Sequence, residues 1–323
     1  MIKYSFIIPV KEINNYIREA VPNILKIERS DYEILIFPDR SNSENWPKTK
    51  QISSGPGGPA MKRSMAMNHA QGEILIFIDD DAYPKEDFLE KLDKSFKNSD
   101  LGAVAGPAIT PKDDSFGQKL SGAVFLSGFS GGCAERYVSV GKKKFVDDWP
   151  SVNLSVKKVD FENIGGFKSK YWPGEDTLMC LDLINTGKKI LYNPELIVFH
   201  HRRKGFLKHL KQVGAYGLHR GYFAKKFPKT SLKLKYFIPS LFLVFVVIGL
   251  IGSLISKLIL NLYIFGWLVY LIGLVIAVWQ IRKYEKDWKI SFGVVPYILG
   301  THLSYGYNFL KGLCVKNLTS KLR

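Results

Sequence analysis

The sequence predicts an α/β domain on a doubly wound, mixed sheet, followed by an α-helical membrane region. Three observations carry this reading. Strand and helix patterns alternate through the first part of the chain, the apolar run from Ile74 stops on Asp79-Asp80-Asp81, and beyond Lys235 the sequence is almost uninterruptedly apolar. With 323 residues the chain has room for one large or two modest domains and a sizeable core.

Tyr4 to Val10 is an apolar run closing at Pro9, too short for a signal peptide, and reads as a first strand. Ile17 to Ile27 has apolar residues at helical spacing, and Glu33 to Phe37 is a second strand ending at Pro38-Asp39. The Gly/Pro-rich stretch Ser53 to Pro59 is a loop, Ala60 to Ala70 a helix, and Gly72 breaks the chain before the acidic strand. Less regular helix and strand patterns continue to His201.

An apolar run of this length bounded by turn signals is a buried strand of a parallel sheet, and open α/β sheets bind ligands beyond the carboxyl ends of such strands. In an extended chain Asp79 and Asp81 face one side and Asp80 the other, unless a turn redirects them. Two hard oxygen donors beside a cleft suit Mg²⁺ or Mn²⁺ holding a diphosphate. An isolated acidic triplet is equally well a solvated turn, so the motifs around it decide.

Tyr236 to Ser256 and Leu258 to Ile281, separated by Lys257, lack a polar face, and each is long enough as a helix to cross a hydrocarbon core of about 30 Å. They read as a transmembrane hairpin. The net charge of +17 is concentrated before it: no acidic residue lies between Glu195 and Glu285, while Arg202, Arg203, Lys204, Lys208, Lys211, Arg220, Lys225, Lys226, Lys229, Lys233 and Lys235 crowd the approach. Such a cluster fits the positive-inside rule and anionic membrane lipids, not a nucleic-acid partner. Arg282, Lys283, Lys286 and Lys289 follow the second stretch and belong on the same side. The expectation is a multi-pass plasma-membrane protein with residues 1–235 on the cytoplasmic face and apolar helices available for homo-oligomer contacts. Cys133, Cys180 and Cys314 are odd in number and form no metal or redox motif.

Three regions result: 1–203, the α/β domain; 204–235, a basic amphipathic segment at the membrane interface with Phe206, Leu207, Leu210 and Val213 at helical spacing; and 236–323, the hairpin plus an interfacial or re-entrant helix over Ile290 to Leu313.

The ordered set Ile8-Pro9-Val10, Phe37-Pro38-Asp39-Arg40-Ser41, Arg63, Ala70-Gln71-Gly72-Glu73, Asp79-Asp80-Asp81, Gly165-Gly166-Phe167, Gly174-Glu175-Asp176 and Pro194 through His200-His201 resembles glycosyltransferase family 2 over residues 1 to about 203. The resemblance implies a GT-A fold, a nucleotide-sugar donor and an inverting mechanism. The family often carries an Asn near Glu12 and an acidic pair near Pro38-Asp39; here only Asp39 of that pair is present.

The resemblance also implies roles. Pro9, Val10, Glu12 and Asp39 would border or bond the nucleobase, and Asp79 or Asp80 would face the ribose or base. Asp81, with Asp79 and His200, would ligate Mn²⁺ or Mg²⁺, with His201 the alternative histidine. Arg63 would contact the diphosphate, for which its planar fork is suited. Asp176 would be the base and Glu175 its partner or an acceptor-orienting group; Tyr171 and Trp172 would offer a platform for a sugar ring. Gln212 lies where membrane-bound relatives carry an acceptor motif, and Arg202, Arg203 and Arg220 would meet a donor or lipid diphosphate or lipid headgroups. The activity implied is transfer of a hexosyl or N-acetylhexosaminyl group, from a UDP-linked donor by family frequency, to a hydroxyl of a lipid-linked glycan or polysaccharide acceptor of the cell envelope. A polyprenyl-phosphate glycosyltransferase and an inactive membrane scaffold are the alternatives.

Overall fold

The computed structural model describes residues 1–96 and 100–319. The chain forms two compact units, one from Met1–Pro111 and Val138–His201, the other from Lys112–Tyr137 and Arg202–Leu318.

The strands of the first unit are β1 (Tyr4–Pro9), β2 (Tyr32–Phe37), β3 (Thr49–Gln51), β4 (Ile74–Phe77), β5 (Ala82–Pro84) and β6 (Leu101–Ala105). They continue with β7 (Ala108–Ile109), β8 (Lys144–Val146), β9 (Leu154–Lys157), β10 (Lys189–Tyr192) and β11 (Val198–His200). Eight form one sheet in the order β3-β2-β1-β4-β9-β6-β10-β8, and β5-β11-β7 form a second. β1 pairs in parallel with β2 and β4, whereas β9 runs antiparallel between β4 and β6. The sheet is therefore mixed, as the sequence predicts.

The continuous apolar character of β1, β2 and β4 follows from burial on both faces. Phe6, Ile8, Ile34, Ile36 and Ile76 point into one core with Ile17, Val21 and Ile24 of the Asn15–Leu25 helix. Ile7, Leu35, Leu75 and Phe77 point into the other, with Ala60, Phe161, Met179 and Leu183. The helix expected over Ala60 to Ala70 is two short pieces, Pro59–Ser64 and Ala66–His69, broken at Met65.

In the second unit the Phe206–Lys226 helix packs along the Val295–Cys314 helix. A Cβ on Gly217 or Gly221 would run into the backbone carbonyls of Tyr305 and Phe309, so glycine permits this approach. The sequence predicts Phe206, Leu207, Leu210 and Val213 as the apolar face; Val213 is buried and Phe206 and Leu210 lie close against Gly300 of the partner helix, but Leu207 is 79 % exposed. The segment expected to be interfacial or re-entrant holds a short Trp288–Gly293 helix and this Val295–Cys314 partner.

Of the two expected spans, Lys257–Glu285 is long and apolar enough to cross a membrane. Its neighbour, Ile238–Ser253, has 16 residues and so reaches about 24 Å. The difference arises at both ends, where a 3₁₀ turn at Leu234–Tyr236 precedes the helix and Ser256 adopts an extended conformation after it. Both helices leave large apolar side chains exposed, among them Leu241, Ile248, Leu258, Leu271 and Ile272.

Candidate active site

β4 ends at Phe77, and the chain then turns, the Ala82 N–H donating to the Asp79 carbonyl at 3.2 Å. The turn separates the three carboxylates. Asp79, Asp81 and His200 offer one ligand atom each, all within 4.8 Å of one another. Asp80 points elsewhere and accepts from Asn14 Nδ2 at 2.8 Å. His200 arrives on β11, which pairs antiparallel with β5 just after Asp81, so the small sheet brings residues 119 positions apart to one place. His200 Nε2 lies 3.2 Å from Asp81 Oδ1. His201 does not join the cluster; its Nε2 lies 3.2 Å from Glu19 and its ring packs beside Tyr16. Two carboxylates and an imidazole form a hard, mainly oxygen donor set, which fits Mn²⁺ or Mg²⁺.

Arg63 connects this cluster to the Gly174-Glu175-Asp176 motif. It is only 3 % exposed, and its guanidinium reaches Asp79 at 2.6 Å and Glu175 at 3.0 Å. Burial opposes its charge, but Asp79, Glu175 and Asp176 outweigh that and raise its pKa. It is thus neither on a solvated helix face nor extended toward solvent.

Gly174 has φ of 115°, a left-handed conformation suited to glycine, and starts the Glu175–Asn185 helix. Both acids fall in the first turn, where the helix dipole favours negative charge. Glu175 is 4 % exposed, and burial, followed by the neighbouring Asp176 charge, pushes its pKa up to about 7 against the opposing pull of Arg63. Its Oε2 is buried with no hydrogen-bond partner among the described residues. Asp176 is half-buried; its Oδ1 accepts from the Thr177 N–H at 2.8 Å and its Oδ2 from the Ser151 N–H at 3.4 Å. Of the two, Asp176 is the more exposed carboxylate. Tyr171 is buried and Trp172 half-buried.

At the ends of β1 and β2, Asp39 is ion-paired with Lys62, which also donates to the Val10 carbonyl at 2.5 Å. Glu12 is exposed, and Pro9 closes β1. Lys62 and Asn14 are the residues that the sequence reading missed. Asn14 is the N-cap of the Asn15–Leu25 helix, where its side chain accepts from Ile17 N–H at 3.0 Å, and it lies two residues from Glu12, near which the family often carries an asparagine.

Arg202, Arg203, Gln212 and Arg220 belong to the second unit, the Asp79, Asp81 and His200 cluster and the acidic pair to the first. The Arg202 N–H donates to Asp114 at 3.2 Å, Gln212 is half-buried, and Arg220 donates to Ser231 at 3.3 Å.

A Methanococcus voltae protein named dolichyl N-acetyl-α-D-glucosaminyl phosphate 3-β-D-2,3-diacetamido-2,3-dideoxy-β-D-glucuronosyltransferase is 24 % identical over 335 residues, covering 98 % of this chain and 99 % of its own. The Haloferax volcanii glucosyl-dolichyl phosphate glucuronosyltransferase is 23 % identical over 156 residues, 44 % of this chain and 47 % of its own. Among solved structures, a Pyrobaculum calidifontis mannosyltransferase in complex with GDP-Man and Mn²⁺ superposes with a TM-score of 0.59 at 15 % identity, covering 98 % of this chain and 88 % of its own, and so shares the fold. Residues 5–150 match the family model for glycosyl transferase family 2, and the mixed α/β fold resembles that of GT-A structures.

Proposed function

We propose that this protein is a membrane-anchored, metal-dependent inverting glycosyltransferase that moves a sugar from a nucleotide donor to a hydroxyl of a lipid-linked glycan. The observation that carries the reading is the continuous chain from Asp81, His200 and Asp79 through Arg63 to Glu175 and Asp176. It couples a cation site to a candidate base through one buried guanidinium.

In this reading Asp79, Asp81 and His200 hold Mn²⁺ or Mg²⁺. The metal supplies charge neutralisation for the departing nucleoside diphosphate. Asp39, oriented by Lys62, bonds the nucleobase, and the backbone at Pro9 and Val10 borders it, with Glu12 at the rim. Asp80, fixed by Asn14, faces the ribose. Arg63 holds Asp79 and Glu175 in register and lends positive potential to the diphosphate. Asp176 removes the acceptor hydroxyl's proton as oxygen attacks the anomeric carbon, which inverts that centre. Glu175 stays beside it as a buried, readily protonated group that orients the acceptor. Trp172 supports a sugar ring, while Arg202, Arg203, Gln212 and Arg220 serve the acceptor or its phosphate.

A hydroxyl acceptor is favoured over a bare polyprenyl phosphate for two reasons. A phosphate is ionised near neutral pH and needs no base, yet the acidic pair is intact, and the two dolichyl-linked relatives are named for sugar-bearing acceptors. A UDP-sugar remains the donor we favour, by family frequency. The Lys257–Glu285 helix serves as the anchor in this reading, and the basic approach supports a catalytic unit at the cytoplasmic face of the plasma membrane. Donor hydrolysis by the purified full chain, profiled over nucleotide sugars with and without Mn²⁺, tests the reading. Turnover should appear with one donor class and vanish in EDTA; full activity in EDTA would defeat the metal-dependent mechanism, and no turnover with any donor would favour a scaffold.

A further inference from the structure

Four cations gather in the second unit at the foot of the Ile238–Ser253 helix. The Arg202 guanidinium lies 4.5 Å from the centre of the Tyr137 ring, and Arg220 lies 5.0 Å from that of Tyr236. The Lys235 ammonium is 5.2 Å from the same Tyr236 ring. Arg136, Lys235 and Arg202 all act electrostatically on the half-buried Cys133 thiol, which ties the two groups together. Carboxylates stand near them as well, among them Glu135, beside Cys133, and Asp114, which accepts from the Arg202 N–H and from Gln118. Like charges partly removed from water repel one another, and a bound anion offsets that cost.

A second observation points to a ligand. The Tyr305 hydroxyl, on the Val295–Cys314 helix, is buried without a hydrogen-bond partner among the described residues. It lies in the electrostatic field of Arg220 and near Cys133. Buried tyrosine hydroxyls ordinarily find an acceptor, so this donor, set beside the cationic cluster, lacks one among the described residues. A third observation gives the ligand's other end. Lys235 and Tyr236 lead directly into a helix whose Ile238, Leu241, Val244 and Ile248 form an exposed apolar stripe.

We infer that Arg136, Arg202, Arg220, Lys235 and the Tyr305 hydroxyl form a site for the phosphate of a single lipid phosphate, whose hydrocarbon chain lies along the apolar stripe of the Ile238–Ser253 helix. Phosphate oxygens accept from the guanidinium forks and from the phenol, and the chain stays in the membrane. The inference rests on the reading above in one respect, that the lipid is the carrier of the sugar acceptor.

The test uses the full chain in phosphatidylcholine nanodiscs with labelled farnesyl phosphate as the probe. Binding should be saturable, weakly displaced by inorganic phosphate and not displaced by UDP. Tyr305→Phe removes a hydroxyl with no partner to lose, so its thermal midpoint should hold while farnesyl phosphate affinity falls about 10- to 100-fold, the worth of a hydrogen bond to a charged group. Arg220→Gln and Lys235→Gln should weaken binding as well. Wild-type affinity in Tyr305→Phe would overturn the site. Displacement by phosphatidylglycerol in the disc would reduce it to a general headgroup patch, and displacement by UDP would assign the cluster to the donor; either result sinks the proposal. Wild-type donor hydrolysis separates the two readings: a hydrolysing protein that binds no farnesyl phosphate refutes this site alone, whereas a non-hydrolysing protein that binds it refutes the transferase reading and keeps the site.

Discussion

Replacing Arg63 with methionine keeps much of the buried volume and removes the charge that compensates Asp79 and Glu175. Breaking a buried ion pair from one side ordinarily costs about 3–5 kcal/mol because a charge is left stranded. Glu175 has a way out, since its pKa already stands at about 7 and it accepts a proton readily. Its folded pKa lies above the ordinary value of 4.5, so its contribution to stability is fully present below about 4.5 and lost as pH rises toward 7. Arg63 is one of the influences that lower it, so in Arg63→Met the folded pKa climbs further and the loss continues above pH 7. Relative to wild type, the variant should be destabilised by roughly 2 kcal/mol at pH 6, with about 1.4 kcal/mol added per pH unit above 7. For a unit of this size that increment is about 3–6 °C of thermal midpoint per pH unit, readable by tryptophan fluorescence of the full chain in detergent between pH 6 and 8.5. Adding Glu175→Gln should flatten the trend. A destabilisation that stays constant across that range, or a trend that survives Glu175→Gln, would refute the coupling between Arg63 and Glu175.

Three further outcomes are expected. Asp81→Ala should abolish transfer with the thermal midpoint preserved, and His200→Ala should raise the Mn²⁺ concentration needed for half-maximal activity; unchanged metal dependence in both would remove the cluster from the mechanism. Asp176→Asn keeps size and hydrogen bonding but cannot take a proton, so donor and metal affinity should hold while turnover falls about 10²-fold or more; near-normal turnover there, with Glu175→Gln equally mild, would promote a phosphate acceptor. Cysteines introduced beside Lys257 should label from outside intact cells and those near Lys226 and Lys286 should not, the reverse pattern inverting the topology.

The parts of this molecule legible in its sequence are those set by periodicity and by local chemistry. β1, β2 and β4 announced themselves because burial on both faces demands an unbroken apolar run, and the turn after Ile78 was marked by its three carboxylates. His200 came from the family resemblance; geometry explains it, since the β5–β11 pairing carries it to Asp81. What was not legible depends on tertiary approach. The packed face of the Phe206–Lys226 helix is continued beyond Leu210 and Val213 by Gly217 and Gly221, which carry no hydrophobic signal, so the apolar spacing marks only its first turns. The length of Ile238–Ser253 was overestimated because composition does not reveal where a helix yields to a 3₁₀ turn or an extended residue. Lys62 left no trace, because a lysine in a sequence reads as solvated until a buried acceptor is found for it.

Lys62 and Arg63 together show how the first unit imposes order on its site. They are consecutive on the Pro59–Ser64 helix, and consecutive helical residues project about 100° apart. One therefore reaches Asp39 and the Val10 carbonyl while the other reaches Asp79 and Glu175. Each cation is 3 % exposed, so neither is held by solvent; carboxylates and a carbonyl delivered from separate elements hold them, and the Arg63 guanidinium also lies 5.5 Å from the centre of the Phe167 ring. A helix this short has little stability of its own, since nucleating one turn is unfavourable, and its orientation is fixed from outside. The ion pairs are thus reciprocal: the β1 and β2 ends and the acidic turn place the helix, and the helix in turn fixes the distance between the expected nucleobase end and the expected catalytic end. Breaking the helix at Met65 keeps this element independent of the Ala66–His69 turn that follows, so both cations can be aimed without a compromise over the rest of the segment.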